Sequence, residues 1–577
     1  MTTLEQLSED LGAVAFVTGT DASAEFQGVL DRARRLLDVK LRFEVGRGDA
    51  APPLVVIAGG TNVGKSTVFN WVVGEAVASS SPLARHTKAP TIYVHTDELP
   101  ALRNGAFLPM YRRMTLESPQ DPAREGGDAT AYFLLSHGRD DVRGVVLVDS
   151  PDIDSTHARN RSVAEDLLFL ADAVLFVATP EKYNDELCVQ YLRQASQLDK
   201  ALICVLNKGA DEEVARDFRE VVVPELSGEA LVLTLPYVTP KPDPATSDAY
   251  RGRLHDAVLA PADGGAALRQ RAIRGARVRL GRDLDRLLGR LREELSELDR
   301  IRSEVDLVLD ARRDEYVRFL NGLAFYELDQ VFERVMQYFR IPVLDNVYDG
   351  FRSAVGFVSQ NVTRLVSGRA QDDSRSSKLR ARDEATRQKV KELTEVAWAE
   401  ALDLPYRHAG VLRDAVPVWV EGLAGRDVEA VNAQVEAFQL EARGEAERWI
   451  EGETRKHVEL LEQHPYARAA LRTVKGVFQV GFGLLSAKLT GGFGPWDLLI
   501  GGATERATKA ILESVGGYVH YQTLKLEFCR DQGALFRTML EQRVKQPLMA
   551  RLPTGIDPER LERLSVAAVQ LRRGEQP

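Results

Sequence analysis

The chain has 577 residues, of which 44% are hydrophobic and 28% charged, and its net charge is −10. Because single cores stop growing near roughly 250–300 residues, this length and composition predict a folded protein with more than one domain. The acidic charge argues against DNA as a partner, and three dispersed cysteines exclude a disulfide scaffold or a cysteine-rich zinc site.

Residues 1–45 are predicted to form a helical segment that packs on the domain that follows or on its connection to the rest of the chain. Leu30, Ala33, Leu36 and Leu37 recur there at helical spacing. The first residues carry acidic side chains where a signal peptide needs basic ones, so we expect a cytoplasmic protein.

Six short apolar runs alternate with charged, helix-like stretches between residues 46 and 250. They occupy residues 53–58, 91–95, 144–149, 173–178, 201–206 and 230–235. Buried strands that alternate with helices are typical of an α/β domain with a mainly parallel sheet and helices on both faces. We therefore predict one such domain over residues 46–250.

The strand pattern nearly disappears after residue 265, and long helices are predicted over residues 265–577. Long amphipathic helices that bury only one stripe need partners, so we expect an all-α bundle or stalk with coiled-coil character. One apolar seam runs through Leu280, Leu284, Leu287, Leu291, Leu295, Leu298, Ile301, Val305 and Val308. A second runs through Val428, Val431, Val435, Phe438, Ala442, Ala446 and Trp449.

A glycine-rich segment, GGTNVGKS, fits the pattern G-x-x-x-x-G-K-[ST] between an apolar run and a helical one. The glycines let the backbone fold around phosphate oxygens, which the backbone N–H groups and the helix N-terminus bind. Lys65 would contact the β- and γ-phosphates, and the Ser66 hydroxyl would bind Mg²⁺. The predicted phosphate-binding residues are Gly59, Gly60, Thr61, Asn62, Val63, Gly64, Lys65, Ser66 and Thr67. A chance glycine-rich turn is the alternative.

Two further residues complete the predicted metal site. Asp149 ends an apolar run, where a Walker-B carboxylate meets the metal, although an aspartate that caps the next turn is the alternative. Thr87 precedes a strand and would add a hydroxyl ligand to Mg²⁺; Thr91 competes for this role, and an ordinary loop threonine is the third reading. The predicted metal ligands are Ser66, Thr87 and Asp149, and the predicted catalytic residues are Lys65, Thr87 and Asp149.

Asn207 and Lys208 end another apolar run and resemble the guanine-reading N-K-x-D motif of GTPases. In that motif the asparagine stabilises the loop, the lysine stem covers the base and the aspartate pairs with guanine. Here position 210 is alanine and Asp211 comes one residue late. We predict Asn207, Lys208 and Asp211 as base-binding residues and GTP rather than ATP as the substrate.

With these motifs, about residues 25–240 resemble the translation-factor-like class of P-loop GTPases, specifically its bacterial dynamin-like and Era/TrmE-like members. The run N-V-G-K-S-T-x-F-N-x-x-x-G-E and a later T-K-x-P before a strand carry the resemblance, together with the helical region that follows. The resemblance implies a Mg²⁺-dependent GTPase that self-associates through its GTPase domain, as a homodimer or a larger assembly.

Two departures from the family pattern bear on catalysis. Asp152 replaces the glycine of D-x-x-G that approaches the γ-phosphate, and Ile153 stands where Ras-like enzymes have a water-orienting glutamine. Asn62 lies where TrmE-like relatives place an asparagine that coordinates K⁺. The resemblance therefore implies K⁺-stimulated, dimerisation-dependent hydrolysis with low intrinsic turnover.

The segment 476–503 contains eight glycines, several aromatic residues and only two charged residues, and the segment 347–368 has a similar texture. We expect peripheral contact of 476–503 with the inner face of the cell membrane; a glycine-packed helical hairpin is the alternative. Residues 364–391 carry nine basic and four acidic residues, which fits anionic lipid or RNA, or a solvated helix face.

Two other functions are kept as alternatives. One is an Era-like regulatory GTPase that acts on RNA, the ribosome or a protein partner, although no RNA-binding signature follows the nucleotide-binding domain. The other is a nucleotide-binding module with little hydrolysis, which the aspartate at position 152 allows.

Overall fold

The computed structural model divides the chain into two compact units, residues 1–295 with 554–577 and residues 296–553. The structure describes residues 3–17, 21–48, 51–78, 89–102, 106–121, 130–155, 157–209, 211–235, 251–258, 264–323, 325–339, 374–407, 410–413, 415–421, 423, 428–463 and 515–576.

An eight-stranded sheet forms the centre of the first unit, with the strand order β3-β4-β2-β5-β1-β6-β7-β8. The strands are β1 Leu54–Gly59, β2 Thr91–His95, β3 Arg112–Leu116, β4 Ala131–His137, β5 Val146–Asp149, β6 Ala173–Ala178, β7 Ala201–Leu206 and β8 Ala230–Thr234. β2 pairs antiparallel with β5, and the other neighbouring pairs are parallel. The predicted mainly parallel sheet is confirmed.

Two of the strands, β3 and β4, were not predicted from the sequence. β3 lies at the edge of the sheet and exposes its arginines, Arg112 and Arg113, so it has no apolar run. β4 is almost entirely buried. Its short apolar run does not distinguish a strand from a piece of buried helix by periodicity.

Helices cover both faces of this sheet, as predicted. Leu54, Val56 and Ala58 of β1 join one apolar cluster with residues of the helices Ala158–Leu170 and Glu186–Gln197, whereas Val55 and Ile57 join a second cluster with residues of the helix Lys65–Val73. Alternation of side chains along a strand explains this division. Up to residue 235 the α-helices are α1 Leu4–Gly12, α2 Asp21–Leu36, α3 Arg42–Val45, α4 Lys65–Val73, α5 Ala158–Leu170, α6 Glu186–Gln197 and α7 Glu212–Val221.

The N-terminal segment is helical, as its spacing indicates. A π-helical turn, Leu37–Leu41, joins α2 to α3, and the four residues singled out by spacing, Leu30, Ala33, Leu36 and Leu37, are fully buried. The Arg35 guanidinium donates hydrogen bonds to Glu165 and Asp166 of α5. The segment therefore packs directly on the α/β domain.

A buried ion cluster joins this segment to the first strand. The Asp172 carboxylate is fully buried and accepts hydrogen bonds from Lys40 Nζ at 2.6 Å and from the Leu54 backbone N–H at 2.8 Å. Glu44 lies beside it and accepts from Lys40 and Arg47, each at 2.9 Å. Burial alone would raise the pKa of Glu44, but the positive charges of Lys40 and Arg47 lower it to about 2.

The described residues of the second unit form helices and short connecting turns without a strand, which confirms the predicted all-α region. The long helix Gly265–Gly322 contributes to both units, and the aromatic rings of Tyr316 and Phe536 lie 4.7 Å apart in the core of the second. The other helices of this unit are Tyr326–Tyr338, Ser374–Arg407, Val416–Val420, Val428–Gln463, Val515–Leu540 and Gln546–Met549, and the helix Pro558–Arg572 belongs to the first unit.

The two glycine-rich segments, 347–368 and 476–503, lie outside the described residues. Among the helices that the structure does describe, none combines the length and the apolar character needed to span a bilayer.

Replacing Asp172 with alanine is expected to destabilise the first unit by about 3–5 kcal/mol, because the substitution leaves the Lys40 ammonium buried without its nearest carboxylate. Thermal and denaturant unfolding measure the effect. The matched control is Asp140→Ala, which removes a carboxylate that is 88% exposed. Equal stability of the two variants would contradict a structural role for the buried cluster.

Candidate nucleotide-binding site

The glycine-rich loop joins the end of β1 to the start of α4. Gly59 and Gly64 have φ angles of +154° and +97°, which side-chain-bearing residues rarely adopt. A Cβ atom on Gly59 would lie 2.2 Å from the carbonyl oxygen of Val177, and one on Gly64 would lie 2.4 Å from Nδ2 of Asn207. The backbone path therefore requires glycine at both positions.

The lysine of the loop folds back over it. Lys65 Nζ donates a hydrogen bond of 2.8 Å to the carbonyl oxygen of Gly60. Lys65 is also the first residue of α4, and Gly64 caps the helix without a side chain. The first N–H groups of α4 and its dipole consequently favour an anion at the same place as the lysine ammonium.

Ser66 and Asp149 meet beside this loop. The Ser66 hydroxyl donates to Asp149 Oδ2 at 3.0 Å, and Asp149, at the end of β5, is 1% exposed. A hydroxyl and a carboxylate are hard oxygen ligands that suit Mg²⁺, which usually binds one or two protein groups together with phosphate oxygens. Larger clusters of His, Cys, Asp and Glu that would hold a metal by themselves do not occur among the described residues.

The two threonine candidates differ in what the structure describes of them. Thr91 is the first residue of β2, is 2% exposed and pairs in register with Asp149. Its place inside the sheet gives it a structural role. Thr87 lies outside the described residues, so its role as a metal ligand stays a prediction.

The loop after β7 is tied to the phosphate loop. Asn207 Nδ2 donates to the carbonyl oxygen of Val63 at 2.9 Å, and Lys208 Nζ donates to that of Asn62. Both carbonyls belong to the glycine-rich loop, and Asn62 and Lys208 each have a φ angle of +63°. The structure thus brings the predicted base-binding pair Asn207 and Lys208 against the predicted phosphate-binding residues.

Asp211 has a different set of contacts. Its side chain caps α7, and Oδ1 accepts hydrogen bonds from the backbone N–H groups of Glu213 at 3.1 Å and Val214 at 3.0 Å. A strong N-cap of this kind stabilises the helix start. Pairing of Asp211 with a guanine base stays a prediction.

The segment after β5 places two carboxylates on the phosphate loop. Asp152 forms an ion pair with Lys65, and Asp154 Oδ1 accepts from the Thr61 backbone N–H at 2.7 Å and from its hydroxyl at 2.6 Å. Lys182, in the loop after β6, donates to Asp154 Oδ2 at 3.0 Å and to the carbonyl oxygen of Thr61 at 3.1 Å.

Sequence reasoning placed a carboxylate at position 152 but missed Asp154 and Lys182. The only signal was the acidic spacing of the segment DSPDIDS and a lysine after the next strand. The residue between the two carboxylates, Ile153, is 7% exposed, and its backbone N–H donates to Gly59 at 3.3 Å.

A glycine loop between a parallel strand and a helix, a serine–aspartate pair at its end and an asparagine–lysine loop beside it form a P-loop nucleotide-binding site. In agreement, residues 54–208 match the family described as 50S ribosome-binding GTPase. The match covers strands β1 to β7 of the sheet and confirms the resemblance to P-loop GTPases.

One curated relative and several solved structures are similar to the chain. A protein of Arabidopsis thaliana described as probable transmembrane GTPase FZO-like, chloroplastic, is 25% identical over 170 residues, which cover 30% of this chain and only 16% of that protein. A structure of an oligomerised bacterial dynamin pair is 11% identical, with 97% of this chain and 96% of that chain covered and a TM-score of 0.40. The bacterial dynamin GTPase LeoA from ETEC is 12% identical, with 96% of this chain and 98% of that chain covered and a TM-score of 0.22.

Replacing Gly64 with alanine is expected to weaken guanine-nucleotide binding by at least about tenfold, because a Cβ there strains the backbone and displaces Asn207. Equilibrium titration with a fluorescent nucleotide measures this. Gly289→Ala is the matched control, since a Cβ at that helical glycine meets no atom within 4 Å. We expect Gly289→Ala to keep wild-type affinity and to gain about 0.5–1 kcal/mol of stability. Unchanged affinity of the Gly64 variant would contradict the assigned loop geometry.

Proposed function

We propose that the chain is a Mg²⁺-dependent, GTP-hydrolysing protein of the dynamin-like kind, which couples its nucleotide state to self-association at a membrane surface. One observation carries the enzymatic part. Lys65 with Ser66, Asp149 and Asn207 come from three separate places in the sequence and converge on a single glycine-rich loop. This convergence supports the binding of a nucleoside triphosphate with its metal.

Each of these residues has a role in the proposal. Lys65 binds the β- and γ-phosphates, and the Asn207 amide holds the loop through the carbonyl of Val63. Ser66 and Asp149 would hold Mg²⁺, which supplies positive charge to the phosphate oxygens when bound. Thr87 is proposed as a further metal ligand.

Guanine specificity depends on the loop after β7. The Lys208 stem covers the base in the proposal, and Asp211 reads its N–H groups. Both capping hydrogen bonds of Asp211 go to Oδ1, so the proposed base contact uses Oδ2. ATP is the competing nucleotide because Asp211 stands one residue later than in the family motif.

The buried side chain of Ile153 supports low intrinsic turnover. An apolar group that is 7% exposed offers no hydrogen bond to an attacking water, so this position does not orient one. We propose that K⁺ held near Asn62 and a second copy of the GTPase domain supply what is missing. The left-handed backbone at Asn62 keeps this residue at the turn of the phosphate loop.

The membrane part of the proposal rests on the sequence of 476–503. Eight glycines, aromatic residues and only two charges over 28 residues suit an element that inserts at a lipid interface. The proposed location is the inner face of the cell membrane, reached by reversible, peripheral contact.

Two other functions have specific support. The description of the matched family names binding to the 50S ribosome, which favours a regulatory GTPase that acts on the ribosome, RNA or a protein partner. The ion pair between Asp152 and Lys65 favours a module that binds nucleotide but hydrolyses it slowly.

GTP hydrolysis is expected to be faster in K⁺ than in Na⁺, and its rate per molecule is expected to rise with protein concentration as dimers form. Phosphate release across a concentration series in each salt measures both effects.

Lys65→Ala should lower the rate by about 100-fold or more, because it removes the cation at the transferred phosphoryl group. Rates that are equal in the two salts and independent of concentration would contradict the activation mechanism; a rate unchanged by Lys65→Ala would contradict the site.

Vesicles that contain anionic lipid should carry the protein to the top of a density gradient when a non-hydrolysable GTP analogue is present. Replacing the apolar side chains Phe482 and Trp496 with serine should abolish flotation by removing the inserted surface. GTP hydrolysis should be unchanged, which controls for folding. Co-sedimentation with 50S ribosomal subunits and no flotation would instead support the ribosomal alternative.

A further inference from the structure

We propose that Asp152 and Asp154 set the nucleotide preference of the chain, so that the free protein binds the diphosphate more tightly than the triphosphate. The inference rests on the proposed function, since it concerns guanine nucleotides at the same loop. It assigns a specificity-determining role to two carboxylates that contact the glycine-rich loop at Lys65 and at Thr61.

The first carboxylate is held by the loop lysine. Lys65 Nζ donates to the carbonyl oxygen of Gly60 at 2.8 Å and to Asp152 Oδ1, and the two charged side chains are 5% and 15% exposed. An ammonium has three donors, and in P-loop proteins these donors bind β- and γ-phosphate oxygens. A carboxylate oxygen therefore lies at the position where Lys65 would meet a phosphate oxygen.

The second carboxylate is held by Thr61 and Lys182. Oδ1 of Asp154 accepts both hydrogen bonds of Thr61, and Oδ2 accepts the one from Lys182. Partial burial acts to raise the pKa of Asp154, but these hydrogen bonds outweigh it and lower the pKa below its usual value. Asp154 thus stays ionised at neutral pH.

The segment between them keeps both carboxylates in place. The backbone N–H of Ile153 donates to the carbonyl oxygen of Gly59 at 3.3 Å, and the Ile153 side chain is buried. Three successive contacts, at Asp152, Ile153 and Asp154, therefore tie this segment to the glycine-rich loop. An incoming phosphate must therefore displace a segment that these three contacts hold in place.

The positions of the contacts distinguish the two nucleotides. The first N–H groups of α4, at Lys65, Ser66 and Thr67, suit the inner phosphates. Asp152 instead contacts the Lys65 ammonium, and Asp154 contacts Thr61. Asp152 occupies the fourth position of the D-x-x-G motif, and the residue at this position approaches the γ-phosphate in related GTPases. A triphosphate adds negative charge beside both carboxylates, and this repulsion is strong outside bulk water. A diphosphate avoids it.

The test compares Kd values for GDP and for a non-hydrolysable GTP analogue, each with Mg²⁺, by calorimetry of the full chain. Asp152→Asn is expected to tighten binding of the analogue by at least about tenfold and to change GDP binding by less than about threefold. Asp154→Asn should act in the same direction. Asp140→Asn removes an exposed carboxylate elsewhere in the same domain and should change neither value.

Each other outcome has a distinct meaning. Weaker analogue binding by Asp152→Asn would overturn the inference, because Asp152 would then assist triphosphate binding, as a metal ligand does. An equal change for both nucleotides would overturn it as well, since position 152 would not discriminate. If the wild type binds the GTP analogue as tightly as GDP or more tightly, the inference is wrong, but the proposed GTPase function is unaffected. Failure of the wild type and of every variant to bind either nucleotide would contradict both the inference and the proposed function.

Discussion

The parallel pairing of β1 with β5 and β6 is the constraint on which the site depends. Its register places Ile57 opposite Asp149 and Gly59 opposite Val177. Because the carboxyl ends of parallel strands meet at one edge of a sheet, the glycine-rich loop, the segment after Asp149 and the loop after β6 must converge there. The Ser66–Asp149 hydrogen bond and the contacts of Asp154 follow from this register.

The shape of the glycine-rich loop is set by its neighbours as much as by its own sequence. Val177 contributes the carbonyl that excludes a side chain at Gly59, and Asn207 contributes the amide that excludes one at Gly64. The same Asn207 amide holds Val63 by a hydrogen bond. A loop fixed from several sides keeps its N–H groups oriented before an anion arrives, which lowers the reorganisation needed on binding.

Local patterns were sufficient to predict six of the eight strands and the order strand, glycine-rich loop, helix. The structure also brings Ser66, Asp149 and Asn207, which these patterns singled out, to that loop. Each is encoded in a contiguous stretch of residue types. The antiparallel direction of β2 could not be predicted in this way, because the residues of a single strand do not indicate the direction in which it pairs. The contact between Asp154 and Lys182 joins two loops, so it depends on strand order and could not be predicted from either loop.

The ion pairs that stabilise this fold are fully buried, whereas those that a ligand can replace are partly exposed. At the start of β1, Lys40 and Asp172 are both fully buried, so separating them costs several kcal/mol, and the cluster acts as part of the core. At the end of β1, Lys182 is 39% and Asp154 19% exposed, and water screens their attraction. Separating the second pair therefore costs less than separating the first, although a γ-phosphate beside Asp154 still meets the repulsion that favours the diphosphate. One six-residue strand thus has a permanent ion cluster at one end and an exchangeable one at the other.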